Sequence, residues 1–484
     1  MQLLVIQRIV GILLMVFSFT MVPPMIVSII YFDGAFEPFF NAFAITLISG
    51  MVLWLPVKNC KQELRLRDGF LIVAMFWAVL SLSGAIPFFL SEQLNISATD
   101  AFFESISGLT TTGATVLTGL DVLPQSILWY RQQLQWLGGM GIIVLAVAIM
   151  PMLGIGGMQL YKAETPGPMK DSKLTPRITE TAKSLWYIYL TLTVACAVAY
   201  WLAGMNSFDA ITHSFSTIAI GGFSTHDASM GYFNDTPMVE VVAIIFMLLA
   251  GINFALHFVA WRSRSVFHYF KDAEAKTYFI ILTGAAIISS SYLYYTNYFV
   301  TLDRAVLHGV FQAVSIGTTT GFTTQEYHNW PGFLPVMLLF TSFIGACAGS
   351  TGGGMKVIRF LLLLKQGARE IIRLIHPNAV LPIKVGGKPL PDRVIAAVWG
   401  FFSAYVAIFS IILLSLMLTG LDQISAFSAT AASMNNLGPG LNEVGLNYAS
   451  LHDPAKWILC FGMLLGRLEI FTLLVLLTPA FWRK

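Results

Sequence analysis

Thr110-Thr111-Thr112-Gly113-Ala114, Ala219-Ile220-Gly221-Gly222-Phe223, Thr318-Thr319-Thr320-Gly321-Phe322 and Asn435-Asn436-Leu437-Gly438-Pro439 are four copies of one short, glycine-centred run. Their anchor glycines, Gly113, Gly222, Gly321 and Gly438, lie 109, 99 and 117 residues apart (222 − 113, 321 − 222, 438 − 321). Each copy follows a short amphipathic segment and lies between two long apolar ones. Apolar segment, short helix, polar glycine turn, apolar segment: repeated four times, this is the plan of a pore made from four covalently joined quarters.

Working outward, the composition admits only a membrane protein. Of 484 residues, 56% are hydrophobic and 11% charged, against about 25% charged in soluble chains. The four cysteines, Cys60, Cys196, Cys347 and Cys460, are far apart and show no metal-ligand spacing, so they read as packing residues. The first apolar run continues to Ile30 without a convincing small-residue cleavage site, so a removable signal is not expected.

Crossing a bilayer takes about 20 mostly apolar residues. Ten segments qualify: 3–31, 38–57, 69–90, 126–150, 183–204, 237–260, 276–299, 333–364, 393–419 and 456–480. The first two precede every glycine run; the other eight pair around the four runs. The expected fold is therefore an all-α polytopic membrane protein, with four pseudo-repeated helix–pore loop–helix units around a central pore plus two N-terminal helices. The expected divisions are 1–66 for the N-terminal helices, then 67–160, 161–265, 266–375 and 376–484 for the quarters. Four short segments, Asp100–Leu109, Asp209–Ile218, Arg304–Gly317 and Asp422–Met434, are too short to span and are expected to be re-entrant helices.

Lysine and arginine set the orientation. One set of loops, together with Arg8, Arg483 and Lys484, holds 24 of the 28; the other side holds Arg131, Arg304 and Lys456, and Arg467 falls inside an apolar segment (28 − 3 − 1 = 24). Both termini are expected in the cytoplasm, with the glycine runs entering from outside.

A dehydrated monovalent cation needs oxygens in place of its water, and rings of backbone carbonyls provide them. Successive carbonyls must then face one side, which ordinary strand geometry forbids and glycine permits. Thr111, Thr112, Thr319, Thr320, Asn435 and Asn436 can add oxygens or brace the turns, and the helix C-termini favour a cation. No Asp or Glu lies in the four runs, which suits a monovalent ion better than a carboxylate-built divalent site. One such tetrapeptide is an ordinary turn; four in matching context are not.

At these residues the chain resembles the Trk/Ktr/HKT superfamily of potassium transporters, and its length and two extra N-terminal helices resemble the bacterial TrkH branch. The resemblance covers essentially the whole chain. It implies potassium as the permeant ion, a filter made by Thr110, Thr111, Thr112 and Gly113, by Ile220, Gly221 and Gly222, by Thr318, Thr319, Thr320 and Gly321, and by Asn435, Asn436, Leu437 and Gly438. It also implies a homodimer in the bacterial inner membrane and a cytosolic TrkA-type ring that binds nucleotides and controls opening. No other cofactor and no nucleic-acid partner is expected.

The eighth apolar segment is interrupted by Gly345, Gly349, Ser350, Thr351, Gly352, Gly353 and Gly354. Each glycine costs a helix roughly 1 kcal/mol relative to Ala, so this stretch is expected to be a loop beneath the filter, acting as a movable plug; the resemblance implies the same. Tight packing of helices is the blander alternative. A phosphate loop is excluded, because Gly354 is followed by Met355-Lys356-Val357 where that motif needs Gly-Lys-Ser/Thr. Arg467 is expected in mid-helix, facing the pore and touching loop carbonyls, a positive barrier in the closed state; a structural tie between helices is its alternative. His257 and Asn253 read as packing groups rather than a proton relay. Glu104 and Gln312, each nine residues before its glycine, are expected behind the filter. The basic run Lys365, Arg369, Arg373, Lys384, Lys388 and Arg393 is a lipid-facing collar or a docking surface. Competing with a pore are a carrier coupling potassium to protons or sodium and a membrane enzyme, for which no cluster of catalytic side chains is present.

Overall fold

A computed structural model describes residues 1–60, 66–141, 178–468 and 470–483. Among the described residues six helices are long and apolar enough to cross a bilayer unbroken: Leu3–Tyr31, Phe36–Val57, Arg67–Leu90, Lys183–Leu202, Ala273–Tyr295 and Asp392–Leu418. Two more are bent pairs, Pro237–Ala250 with Phe254–Ser263 at 94° and Asp453–Arg467 with Phe471–Leu477 at 117°. The Gly-rich stretch splits another into Leu334–Ile344 and Val357–Ile375. The remaining one is Gln125–Gly139, whose expected continuation to residue 150 falls outside the described residues, as do Lys162, Lys170, Lys173, Arg177, Glu469 and Lys484.

The four short segments are helices Ala98–Leu109, Ser207–Ala219, Leu302–Gly317 and Gln423–Asn435. They have 12, 13, 16 and 13 residues. At 1.5 Å per residue that is about 18–24 Å, short of the ~30 Å hydrocarbon thickness. Polar caps start three of them: the side chains of Ser97, Asn206 and Asp422 accept from backbone N–H groups of the first turn.

The two N-terminal helices cross at Gly11 and Gly50, where a methyl on either glycine would lie under 3 Å from the other's carbonyl oxygen, the small-residue contact that lets membrane helices approach closely. Tyr130, fully buried, packs between Phe39 and Phe88 and joins this pair to the first quarter. Among the described residues one element breaks the all-helical pattern: Lys384–Val385 pairs antiparallel with Lys388–Pro389. It is a minimal hairpin turned by Gly386 and Gly387, both at positive φ.

Two expectations are corrected. The segments 237–260 and 456–480 were expected to be continuous, and both are broken. At the first break, Asn253 Oδ1 accepts from Ala255 N at 2.8 Å and starts a new helix. The freed backbone groups pair with the Gly-rich loop: Cys347 N donates to Gly251 O and Phe254 N to Gly349 O, both at 3.0 Å. A helix can break at membrane depth when protein takes up its backbone bonds. At the second break Arg467 stands at the last position of Asp453–Arg467, not in mid-helix. The breaks begin 29, 24 and 30 residues after Gly222, Gly321 and Gly438 (251 − 222, 345 − 321, 468 − 438), so three quarters interrupt their second helix at a similar place in the repeat.

Candidate functional site

Each short re-entrant helix ends in the same way. The residue two before the anchor glycine is left-handed: Thr111, Ile220, Thr319 and Asn436 have φ of 56°, 54°, 69° and 53°. The next N–H reaches back to the helix carbonyl five residues earlier, Thr112 to Ser107, Gly221 to Ser216, Thr320 to Ser315 and Leu437 to Ala432, all at 2.8–2.9 Å. The anchor glycines then take φ of 80°, 77°, 84° and 92°. Two positive-φ residues flanking an ordinary one turn successive carbonyls toward one side.

These four turns form a closed ring. A methyl added at Gly113 would overlap the carbonyl oxygen of Gly221; at Gly222, that of Thr320; at Gly321, that of Leu437. At Gly438 it would lie 2.8 Å from Thr112 O. In every case the oxygen belongs to the residue before the anchor glycine of the next quarter, and the fourth quarter returns to the first. No side chain fits between neighbouring turns.

The side chains brace the ring rather than enlarge it. Thr110 Oγ1 lies 2.8 Å from Thr112 Oγ1, and Thr318 Oγ1 2.7 Å from Thr320 Oγ1. Asn436 Nδ2 donates to Thr112 Oγ1 at 3.0 Å, tying the fourth quarter to the first. Asn435 accepts from the Tyr405 hydroxyl at 2.6 Å. Behind the turns, Glu104 accepts from Thr115 Oγ1 and Val116 N, both at 3.0 Å, and Gln312 Nε2 reaches Phe322 O at 3.5 Å. His213, also nine residues before its glycine, bonds Ser224 Oγ at 2.9 Å; that shared offset would have found it. Gln135 straddles Gly222, donating to Gly221 O at 2.5 Å and accepting from Phe223 N at 3.0 Å.

Outside the ring ionisable side chains meet in pairs. Arg131 and Glu104, both fully buried, meet at 2.7 Å. Lys456, 18 residues after Gly438, bonds Asp100, 13 before Gly113, at 2.6 Å. Glu240 and His308 hold the same offsets in the second and third quarters and approach to 3.4 Å. Beside the start of the second re-entrant helix His226 lies 2.6 Å from Asp121 and 3.3 Å from Asp209 and stacks on Tyr232. Burial alone would lower the His226 pKa, but hydrogen bonds to Asp209 and Asp121 outweigh it and hold it above 6.5. Burial likewise opposes Asp209, whose bonds to His226 and Thr225 and nearby His213 still bring it down to about 2. Burial keeps His213 down at about 4.

On the opposite face lies the loop of residues 345–356. Gly353 N donates to Thr319 Oγ1 at 2.7 Å and Gly354 N to Asn435 O at 3.0 Å. Thr351 Oγ1 donates to Ile218 O at 2.9 Å. A methyl on Gly352 would lie 2.8 Å from Thr318 O, and one on Gly353 would overlap Asn435 O. Gly345 and Gly349 turn the loop at φ of 70° and 73°, and Ser350 Oγ donates back to Cys347 O at 2.6 Å. Arg467 brings in the first quarter: Nη1 donates to Thr111 Oγ1 and to Thr351 O, both at 3.2 Å, and Nη2 to Gly138 O. Lys356, counted from sequence as a cytoplasmic charge, folds back so that its Nζ donates to Gly352 O. Two cations thus accompany the loop beneath the ring. His257 is occupied by Tyr269 and Leu249 O, a packing role. Of the basic run, Arg369 pairs with Asp392 and Arg373 with Glu370. Among the described residues no cluster of three His, Cys, Asp or Glu side chains could hold a metal.

The family described as "TrkH: Cation transport protein" matches residues 36–484. A Trk system potassium uptake protein TrkH from Halomonas elongata is 58% identical over 484 residues, covering 100% of both chains. The Escherichia coli protein of that name is 56% identical over 479 residues, with 99% of each chain covered. The crystal structure of the potassium transporter TrkH from Vibrio parahaemolyticus superposes with a TM-score of 0.91 at 57% identity, over 100% of each chain.

Proposed function

We propose, from the premise that the chain belongs to the TrkH family of cation transport proteins, that it carries potassium into the cell through the ring of four turns. One observation carries this reading: the carbonyl before each anchor glycine lies against the anchor glycine of the preceding quarter, all the way round. The ion is substrate, not resident cofactor; Thr110 to Gly113, Ile220 to Gly222, Thr318 to Gly321 and Asn435 to Gly438 hold it, with the C-terminal ends of the four re-entrant helices favouring its charge. No chemical reaction is assigned.

The loop from Gly345 to Gly354 acts as the gate. Its support is position: it hydrogen-bonds to three of the four quarters just beneath the ring, while Arg467 bonds both the loop and the first quarter. Arg467 and Lys356 add positive charge on the path of a cation, a barrier that withdrawing the loop removes. The unequal distribution of lysine and arginine supports an inner-membrane protein with cytoplasmic termini. The basic face of Val357–Ile375, which leads directly from the loop, suits a cytosolic nucleotide-binding subunit of the TrkA type, and a second copy of the chain completes a homodimer.

Reversal potentials of the purified protein in planar bilayers test the reading. A pore gives a potential that follows the potassium gradient and ignores imposed proton or sodium gradients. A potential that moves with the second ion assigns the chain to coupled carriers instead.

A further inference from the structure

Glu274 closes the base of the loop. It stands in the first turn of Ala273–Tyr295, some seventy residues before the loop in sequence. A single carboxylate oxygen, Oε1, accepts from Ala348 N at 2.7 Å and from Ile358 N at 3.1 Å. Ala348 immediately precedes the Gly349–Gly354 run, and Ile358 is the second residue of the helix that follows it. One oxygen therefore joins the two feet of the loop, ten residues apart (358 − 348).

Two backbone donors converge on that oxygen and offset part of the cost of burying its charge. The Ile358 N–H is one of the unpaired donors at a helix N-terminus, where a carboxylate is stabilised, and that helix has no side-chain cap from its own N-cap residue, Lys356. Hydrogen bonds to a charged acceptor are roughly twice as strong as neutral ones. The first foot is further held by the broken second-quarter helix, through Cys347 to Gly251 and Phe254 to Gly349. The contacts above the loop, to Thr319 and Asn435, face the conduction path, where water can replace them once the loop withdraws. The contacts to Glu274 are at the base, and they separate if the Val357–Ile375 helix moves away from Ala348.

We propose that Glu274 is the latch of the gate, a positioning residue that favours the blocking position of the loop without touching the ion. This rests on the reading of the loop as a gate. It also gives that gate a handle: Lys365, Arg369 and Arg373 lie on the helix whose first turn Glu274 holds, so a partner that displaces this helix acts on the latch directly. A contact present in only one of two states shifts the balance between them by its full differential strength.

The test is thallium flux into liposomes carrying the full-length protein without its regulatory partner, for wild type, E274A, E274Q and a variant with the glycine loop shortened by three residues. Glutamine keeps an acceptor oxygen and loses the charge. E274A is expected to raise flux about tenfold, equivalent to about 1.4 kcal/mol, and E274Q about threefold. The potassium-to-sodium permeability ratio stays that of wild type, because the ring is untouched. Wild-type flux in E274A or E274Q, with raised flux in the shortened loop, overturns the latch and leaves the gate. Wild-type flux in all three variants overturns the gate itself. Loss of ion discrimination in step with the rise in flux assigns Glu274 to filter integrity and also overturns the proposal. If E274A does not fold, E274Q alone decides, since a latch requires its flux to rise.

Discussion

Replacing Gly222 with alanine should abolish potassium permeation while leaving most of the fold in place. Two costs add. At φ of 77° a side chain occupies the left-handed region, at roughly 1–2 kcal/mol. The new methyl also overlaps Thr320 O, so a ring carbonyl must move; forcing extra atoms into a packed interior costs typically about 1–3 kcal/mol. The sum, about 2–5 kcal/mol, falls on the geometry of the ring and corresponds to roughly a 30- to 4,000-fold loss at 1.4 kcal/mol per decade. Gly113 and Gly321 meet the same overlap with Gly221 O and Leu437 O and should behave alike. Gly438 meets a milder clash: its methyl would lie 2.8 Å from Thr112 O and 2.9 Å from Gly113 C, so ring backbone must still move, but less than at the other three, and a smaller loss of about tenfold is expected. Rubidium uptake by cells lacking other potassium uptake, normalised to folded protein on size-exclusion chromatography, gives the order. G222A or G321A with wild-type uptake and ion preference, or G438A as the most damaging of the four, would refute the closed ring.

Removing the Arg467 charge with R467A should raise flux about tenfold, since a charge-assisted hydrogen bond to the loop contributes about 1.5–3 kcal/mol; equal or lower flux in folded protein counts against a barrier. R131M strands the buried Glu104 carboxylate and should cost about 3–5 kcal/mol, seen as a lower melting temperature in detergent. The double change E104Q/R131M should recover part of that loss, and purely additive losses would show that the pair is not coupled. The His226 pKa is raised above 6.5, so its contribution to stability is complete below that pH and is lost as pH rises through the raised value; Asp209, depressed to about 2, contributes above 3.8 and is lost only as pH falls through its folded value. Melting temperature should therefore decline as pH rises above about 6.5, and H226Q should flatten that decline; an unchanged slope would remove His226 from the account.

The turns and their re-entrant helices were legible because local physics dictates both. A positive φ at the same place in four loops selects glycine, and a segment too short to span cannot be read as a span. The loop at 345–356 was legible for the same reason, since five glycines in ten residues cannot sustain a helix. The bends were not. Gly251-Ile252-Asn253 lies within an apolar run, and the groups that satisfy the broken backbone belong to residues nearly a hundred positions away. Arg467 was recognised as special but placed one structural context off, in mid-helix rather than at a bend. Gln135 and Glu274 escaped notice for a common reason: their partners are backbone atoms of distant segments, and no residue type at those positions announces the pairing; Lys356 was counted with the cytoplasmic charges because its return to Gly352 O depends on the path of the loop. His213 could have been found, because it repeats the offset of Glu104 and Gln312.

Gln135 sets one quarter apart. Its amide engages Gly221 O, a member of the ring, whereas the corresponding oxygens of Thr112, Thr320 and Leu437 have no such side-chain donor among the described hydrogen bonds. An assembly of four identical subunits can alter its filter only in fourfold steps, and each mutation strikes every ligand of the ion at once. A single polypeptide can vary one coordinating oxygen while three hold the ion in place, so ion preference in such a lineage can drift by quarter-steps, each small enough to survive.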